Sequence, residues 1–195
     1  MNYLAHAHLS FKNPGILIGN LIADTVRGKQ IMNFPEIVRY GIYLHRQIDH
    51  FTDTHEIVRE TKRIFYASAG RYDGTFLDIA FDHFLATDQS REPSEGWSDF
   101  AQWCYGIVNN NINLLPDRFR RLFRYMEEEN WFYNYRYGWM IEDSFVHMVR
   151  RASFLEDDLN VYKDFTDNYE TIQNGYNSFF PELEAFAKEI ASPFL

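Results

Sequence analysis

In the stretch 42–53, His45, Asp49 and Asp53 follow one another at i, i+4 steps. A helix over this stretch therefore carries an imidazole and two carboxylates on one slowly drifting stripe. Leu44, Ile48 and Phe51 form a second stripe beside it, the natural core face. Surface acids usually alternate with lysine or arginine, but here only Arg46 interrupts. Acids and imidazole at this spacing are the ingredients of a divalent-metal site with nitrogen and oxygen ligands. Asp24 and the Asp82-His83 pair could converge with them, and His6 and His8 are further candidates. Helical bundles build metal centres this way, from inward-facing side chains on several elements. A mixed His/Asp set suits Mn, Fe or Zn, whereas an all-oxygen set favours Mg or Ca. The absence of a cysteine pair argues against a structural zinc. Spacing alone leaves both a metal site and an ordinary set of solvated or ion-paired side chains open.

The other titratable groups have blander expectations. His50 and His55 read as exposed helix residues. His147, close to Phe145 and Met148, reads as a packed core histidine, and Asp78 as a solvated acid. Arg46 can either pair with a neighbouring carboxylate or hold an anion.

The elements that must position these residues are helical throughout, because strict apolar alternation is scarce and no fixed-period repeat is present. The expected order is a short helix over 3–10, a second from Pro14 to Val26 with Asn20 placed to hydrogen-bond Asp24, and a central helix from Pro35 to Thr54 that continues with a bend to Tyr66. Residues 69–74 read as a glycine loop and 76–87 as a fourth helix. Then come a helix over 100–108 capped by Ser98, and an arginine-bearing helix opened by Leu115-Pro116-Asp117. An aromatic turn over 133–138, a helix over 140–159, and one or two further helices, the last started by Pro181, complete the expected chain. The expected class is all-α, a single-domain helical bundle over 1–195, with the motifs in 1–90 and a less characteristic half in 91–195.

The 195 residues suffice for a substantial core, and 18 Phe, 13 Tyr and 4 Trp supply its bulk. No apolar run approaches the roughly 20 residues needed to cross a bilayer, and the start of the chain lacks the pattern of a signal peptide. The lone Cys104 fits a reducing cytoplasm. A formal net charge of −9 disfavours non-specific binding to nucleic acid or anionic membrane. That charge is uneven, since Arg118, Arg120, Arg121 and Arg124 precede Glu127, Glu128 and Glu129.

Four blocks carry a resemblance. They are Met1 to Leu9 (MNYLAHAHL), Gly19 to Gly28 (GNLIADTVRG), Gly41 to His55 (GIYLHRQIDHFTDTH) and Asp78 to Ala86 (DIAFDHFLA). In this order they resemble the acyl carrier protein phosphodiesterase family over roughly the first half of the chain. The family's usual basic pair near Arg71 is incomplete here, with Tyr72 and Asp73 following. The resemblance implies an all-helical, HD-like metal-dependent phosphohydrolase architecture and a divalent metal, with Mn2+ expected and Mg2+ or Fe2+ as alternatives. It also implies hydrolysis of the phosphopantetheine arm from holo acyl carrier protein, giving apo carrier protein. Asp24, His45, Asp82 and His83 are the implied metal residues, with Asp49 and Asp53 next.

A phosphodiester is anionic, so its hydrolysis needs charge neutralisation and a nucleophile formed at neutral pH, both of which a metal provides. Asp49 or a histidine not bound to metal could take a proton from water, His83 or His6 could give one to the leaving serine oxygen, and Asp24 is a further catalytic candidate. Arg27 and Arg46 suit a bidentate grip on phosphate. The carrier partner is expected to be acidic, so its recognition needs the local basic face of Arg118, Arg120, Arg121 and Arg124, or that of Arg59, Lys62 and Arg63. The alternatives are an HD-like phosphohydrolase acting on a small nucleotide or other phosphodiester, and a non-catalytic helical protein that binds carrier protein or stores metal.

Overall fold

A computed structural model describes residues 1–152, 155 and 161–195, and the described residues contain helices and turns with no strand. In chain order the helices are α1 (Tyr3–His8), α2 (Pro14–Ile22), α3 (Glu36–Thr54), α4 (Glu56–Thr61), α5 (Tyr66–Ala69), α6 (Asp73–Thr87), α7 (Gly96–Asn110), α8 (Asp117–Glu128), α9 (Trp131–Asn134), α10 (Gly138–Arg151), α11 (Val161–Asp167) and α12 (Tyr169–Ala191). The all-α expectation holds.

Local chemistry explains several boundaries. Asn13 caps α2, its side chain accepting from Gly15 N at 3.0 Å and Ile16 N at 3.2 Å, and Pro14 occupies the first turn. Helix α3 ends at an extended His55, and α4 continues in a new direction, which is the bend expected there. Other boundaries differ from expectation. Gly70, at φ 53°, makes the turn before α6, whereas Gly74 lies within that helix's first turn. Helix α7 starts at Gly96, so Ser98 is helical and caps nothing. Helix α10 ends at Arg151, and the rest of the expected 140–159 helix falls largely outside the described residues. Pro181 starts no helix; it sits inside the 23-residue α12. Its missing N–H frees the carbonyl of Asn177, and both residues face solvent, where water can satisfy that group.

One buried apolar cluster runs from Leu4 to Ala191. Its hub is α6, buried all round, which marks a helix enclosed by others. Phe76 meets Phe145 edge-on at 5.0 Å, Phe81 stacks on Phe179 at 5.8 Å, and Phe84 meets Tyr169 at 4.9 Å. The amphipathic α3 lies at the rim of this core, with Ile42, Leu44 and Ile48 inward and Phe51 half-buried, stacked on Phe186.

Helices α2 and α3 approach until their backbones touch. A Cβ at Gly19 would lie 2.1 Å from the Val38 carbonyl oxygen and 2.7 Å from Gly41 Cα. Gly19→Ala is therefore expected to destabilise the fold by about 3 kcal/mol or more, because backbone rather than a yielding side chain must move. A urea melt reads this directly, and a variant within ~0.5 kcal/mol of the parent would show that the helices separate easily. This contact matters because Asp24 follows α2 in the 3-10 turn Ala23–Thr25, while His45 is on α3.

Candidate metal centre

Three elements bring His6, His45, Asp49 and Asp24 together. His6 is on α1, His45 and Asp49 are one turn apart on α3, and Asp24 is on the turn after α2. His45 Nε2 lies 3.0 Å from Asp49 Oδ2 and 3.3 Å from Asp24 Oδ1. His6 Nε2 lies 3.2 Å from Asp49 Oδ1, and the two imidazoles stack with centroids 3.9 Å apart and planes 17° from parallel. One ligand atom from each of His6, His45 and Asp49 can be chosen so that all lie within 4.8 Å of one another.

The buried nitrogens His45 Nε2, His45 Nδ1 and His6 Nδ1 make no hydrogen bond among the described residues. Although His45 Nε2 is within reach of both carboxylates, it meets them side-on, as donors do when they face a shared point. For metal–donor bonds of about 2.0–2.2 Å, adjacent donors sit roughly 3.0–3.5 Å apart. The observed 3.0–3.3 Å separations match that spacing. His6, His45 and Asp49 thus form a group that could hold a metal ion, and Asp24 stands beside it through its 3.3 Å approach to His45.

The electrostatics follow from burial and pairing. Burial, with His45 alongside, drives the His6 pKa down to about 4 against the pull of Asp49. Burial also opposes charge on His45, but Asp24 and Asp49 together overcome it and hold its pKa at about 9. Asp49 is partly desolvated, yet His45, His6 and the Met1 ammonium keep it well below the usual carboxylate range. That ammonium is fully buried, 3.4 Å from Asp49 Oδ1 and 3.3 Å from Asp78 Oδ1. Asp78 is therefore half-buried and paired rather than simply solvated.

The Asp82-His83 pair does not join the cluster. Both Asp82 oxygens are taken by α1, accepting from Leu4 N at 2.7 Å and Ala5 N at 3.0 Å. His83 points the other way from the same helix, with Nδ1 2.8 Å from the Tyr135 carbonyl and Nε2 2.9 Å from the Tyr169 hydroxyl. Adjacent residues on a helix diverge by about 100°, and here each side chain is engaged by a different set of partners away from the cluster. The metal and catalytic roles expected of Asp82 and His83 are corrected on this geometry.

Several other expectations are also corrected. Asn20 does not reach Asp24; its Nδ2 donates to the His6 carbonyl at 3.1 Å and to Ser10 Oγ at 2.9 Å. His8 is drawn away to Glu184 at 3.1 Å. His55 is half-buried against Glu182 at 3.3 Å, and His147 is exposed rather than packed. Asp53 is exposed, away from any role as a ligand in this geometry, while His50 is exposed as expected. Arg27 and Arg46 are exposed and make no ion pair among the described residues. On α8, Arg118, Arg121 and Arg124 are exposed, whereas Arg120 pairs with Asp117.

Sequence reasoning overlooked Tyr3. It lies on α1 one turn before His6, and its ring meets Phe119 of α8 and Trp131 of α9, each at 6.4 Å. Burial first, then Asp24, raise its pKa to about 12, with Arg151 and Arg118 opposing. The i, i+3 spacing from His6 was the available signal.

The family model described as acyl carrier protein phosphodiesterase matches residues 1–183. The chain is 33% identical over 190 residues to the acyl carrier protein phosphodiesterase of Serratia proteamaculans, covering 97% of this chain and 98% of that one. It is 33% identical over 192 residues to that of Escherichia coli O139:H28, covering 98% and 100%. With that of Yersinia enterocolitica it shares 32% over 191 residues, covering 97% and 98%. No solved structure matches significantly. On the near-full-length family match and these relatives, the chain belongs to the acyl carrier protein phosphodiesterase family.

Proposed function

We propose that this chain is a metal-dependent phosphodiesterase that releases 4′-phosphopantetheine from the serine of holo acyl carrier protein, leaving the apo carrier. The observation that supports this most is the convergence of His6, His45 and Asp49, with Asp24 beside His45 and three buried imidazole nitrogens lacking a hydrogen bond. His6, His45 and Asp49 would hold the ion, with Asp24 beside it, Mn2+ the expected metal and Mg2+ or Fe2+ as alternatives. A divalent ion there would supply a nucleophile at neutral pH and neutralise charge on the phosphoryl oxygens.

The chain's own groups divide the remaining work. Asp49 has both oxygens engaged by His6, His45 and the Met1 ammonium, so it orients the imidazoles and is a poor base. Asp24, with 71% of its side chain exposed, has room to take a proton from the attacking water. Arg46 and Arg27, exposed near His45 and Asp24 in the chain, are assigned to grip the phosphate. Neutral His6 is no proton donor, and His83 is committed elsewhere. The proton for the departing serine oxygen is assigned to Tyr3, which stays protonated through neutral pH. Tyr3→Phe should then lower turnover of holo carrier by about a hundredfold. It should spare a diester with a nitrophenolate leaving group, which departs without a proton. Equal loss on the two substrates removes Tyr3 from that role.

The fold's HD-type kinship belongs to this proposal, as does a cytoplasmic setting, with which the free, buried Cys104 is compatible. No helix among the described residues is long and apolar enough to cross a membrane. The test is to incubate the protein with holo carrier protein and Mn2+ and weigh the carrier. Loss of the phosphopantetheine mass supports the proposal. Hydrolysis of a generic diester or nucleotide alone supports a broader phosphohydrolase, and no hydrolysis supports a non-catalytic binding protein.

A further inference from the structure

Helix α1 carries His6, yet it has only six residues. Isolated helices shorter than about 12 residues are marginal in water, so this one depends on what grips it. Its own N-cap residue, Asn2, makes no capping hydrogen bond; instead Asn2 Nδ2 donates to the Tyr135 hydroxyl at 3.0 Å. After α1 the chain turns through Phe11 and Lys12, at φ 49° and 58°, a left-handed conformation unfavourable to residues with a Cβ. Capping within the segment is therefore sparse, and Ser10 Oγ on the His6 carbonyl is the side-chain contact it supplies at the end of α1.

The rest of the grip comes from other elements. Asp82, with no exposed surface, accepts from two of the free N–H groups at the start of α1, those of Leu4 and Ala5, 78 and 77 residues away in sequence. Burying a carboxylate is costly unless its oxygens are satisfied. Burial pushes the pKa of Asp82 up to about 7 even though the two N–H groups pull it down. An ordinary side-chain cap at position 2 would satisfy the helix end without burying a charge, so Asp82 has a further effect: it ties α1 to the hub helix α6. At the other end, the carbonyl of His6 itself accepts from Ser10 Oγ at 2.8 Å and Asn20 Nδ2 at 3.1 Å. Ser10 and Asn20 are likewise fully buried, and Asn20 belongs to α2, the helix locked onto α3. His6 is thus held at its backbone from α2 and at its helix end from α6, with its ring laid on His45.

We propose that Asp82, together with Asn20 and Ser10, is a positioning group that sets His6 as a ligand of the divalent ion, and that Asp82 does not itself bind that ion. The inference rests on the metal reading above and assigns its α6 acid a different role. Partners of this kind behind a ligand typically contribute 10–100-fold in metal affinity.

The experiment uses full-length, metal-free protein titrated with Mn2+, with the imidazole nitrogens bound to the ion counted by pulsed EPR. The parent should show two imidazole couplings, and His6→Ala and His45→Ala one or none. Asp82→Asn, which keeps the shape but offers one acceptor instead of two, should weaken Mn2+ binding about tenfold and lose the His6 coupling. Asn20→Ala should do the same without altering any carboxylate. In the metal-free protein, amide exchange at Leu4 and Ala5 should speed up in Asp82→Asn, a readout independent of metal. Two couplings and unchanged affinity in both variants would overturn the inference. So would a loss in Asp82→Asn that exceeds the loss in His6→Ala, since Asp82 would then be a ligand. If the parent and His45→Ala bind Mn2+ equally, the metal reading has failed first and this inference falls with it. A purely structural role would lower the melting temperature of Asp82→Asn and Asn20→Ala while leaving both couplings in place.

Discussion

Replacing His45 by alanine is expected to abolish tight binding of Mn2+ and to lower turnover of holo carrier protein and of a small diester together, by about a thousandfold or more. His45 is the common neighbour of every other group in the centre, 3.0 Å from Asp49, 3.3 Å from Asp24 and stacked on His6. Its removal leaves two carboxylates with fewer donors to organise them. A metal in such a site is worth several kcal/mol of transition-state stabilisation, and each 1.36 kcal/mol is about a factor of ten. The loss should fall on both substrates because it concerns the chemistry rather than recognition of the protein partner. Asp53→Ala is the internal comparison: Asp53 continues the same i, i+4 stripe but is exposed, so its loss should change kcat/KM less than about twofold. Calorimetric titration with Mn2+ and steady-state kinetics on the two substrates check this. Turnover by His45→Ala within tenfold of the parent would remove the centre from the mechanism.

Reversing charge at Arg121 and Arg124 should produce the opposite pattern. The carrier proposed as substrate is expected to be acidic and this chain carries a net charge of −9, so long-range attraction would not bring them together. Arg118, Arg121 and Arg124 stand exposed on α8, and the same helix touches the centre's neighbourhood through Phe119 and Tyr3. Arg121→Glu with Arg124→Glu is expected to lower kcat/KM on holo carrier by about ten- to a hundredfold, through slower association. Small-diester hydrolysis should stay within twofold. In the parent, raised salt should depress carrier turnover and spare the diester, because exposed charges are screened over about 10 Å at 0.1 M. Arg120 is the wrong residue for this test, since Asp117 already neutralises it. Parallel loss on both substrates would place these arginines in folding or chemistry instead.

Much of the fold could be read along the chain because its signals are local. Asn13-Pro14 announces α2 through a cap and a residue suited to the first turn, and the structure shows both devices in use. The apolar stripe of Leu44 and Ile48 faces inward as its period requires. Errors came where a local rule met a non-local circumstance. Pro181 reads as a helix start, but the freed carbonyl lies on a solvent face and the apolar surface continues unbroken through Phe179, Phe180 and Leu183. His147 sits near apolar residues in sequence, yet it faces solvent on α10.

Residue types and helical periods therefore suffice to determine an all-helical chain, and to place His45 and Asp49 on one stripe, because both depend on neighbours within one turn. Which imidazole and which acid complete the centre was decided in three dimensions. The Gly19–Gly41 contact sets how closely Asp24 approaches His45, and the rotation of α6 sends Asp82 to the backbone of α1 and His83 toward Tyr135. Helix rotation and interhelical distance come from packing the whole core, and no stretch of sequence encodes them by itself.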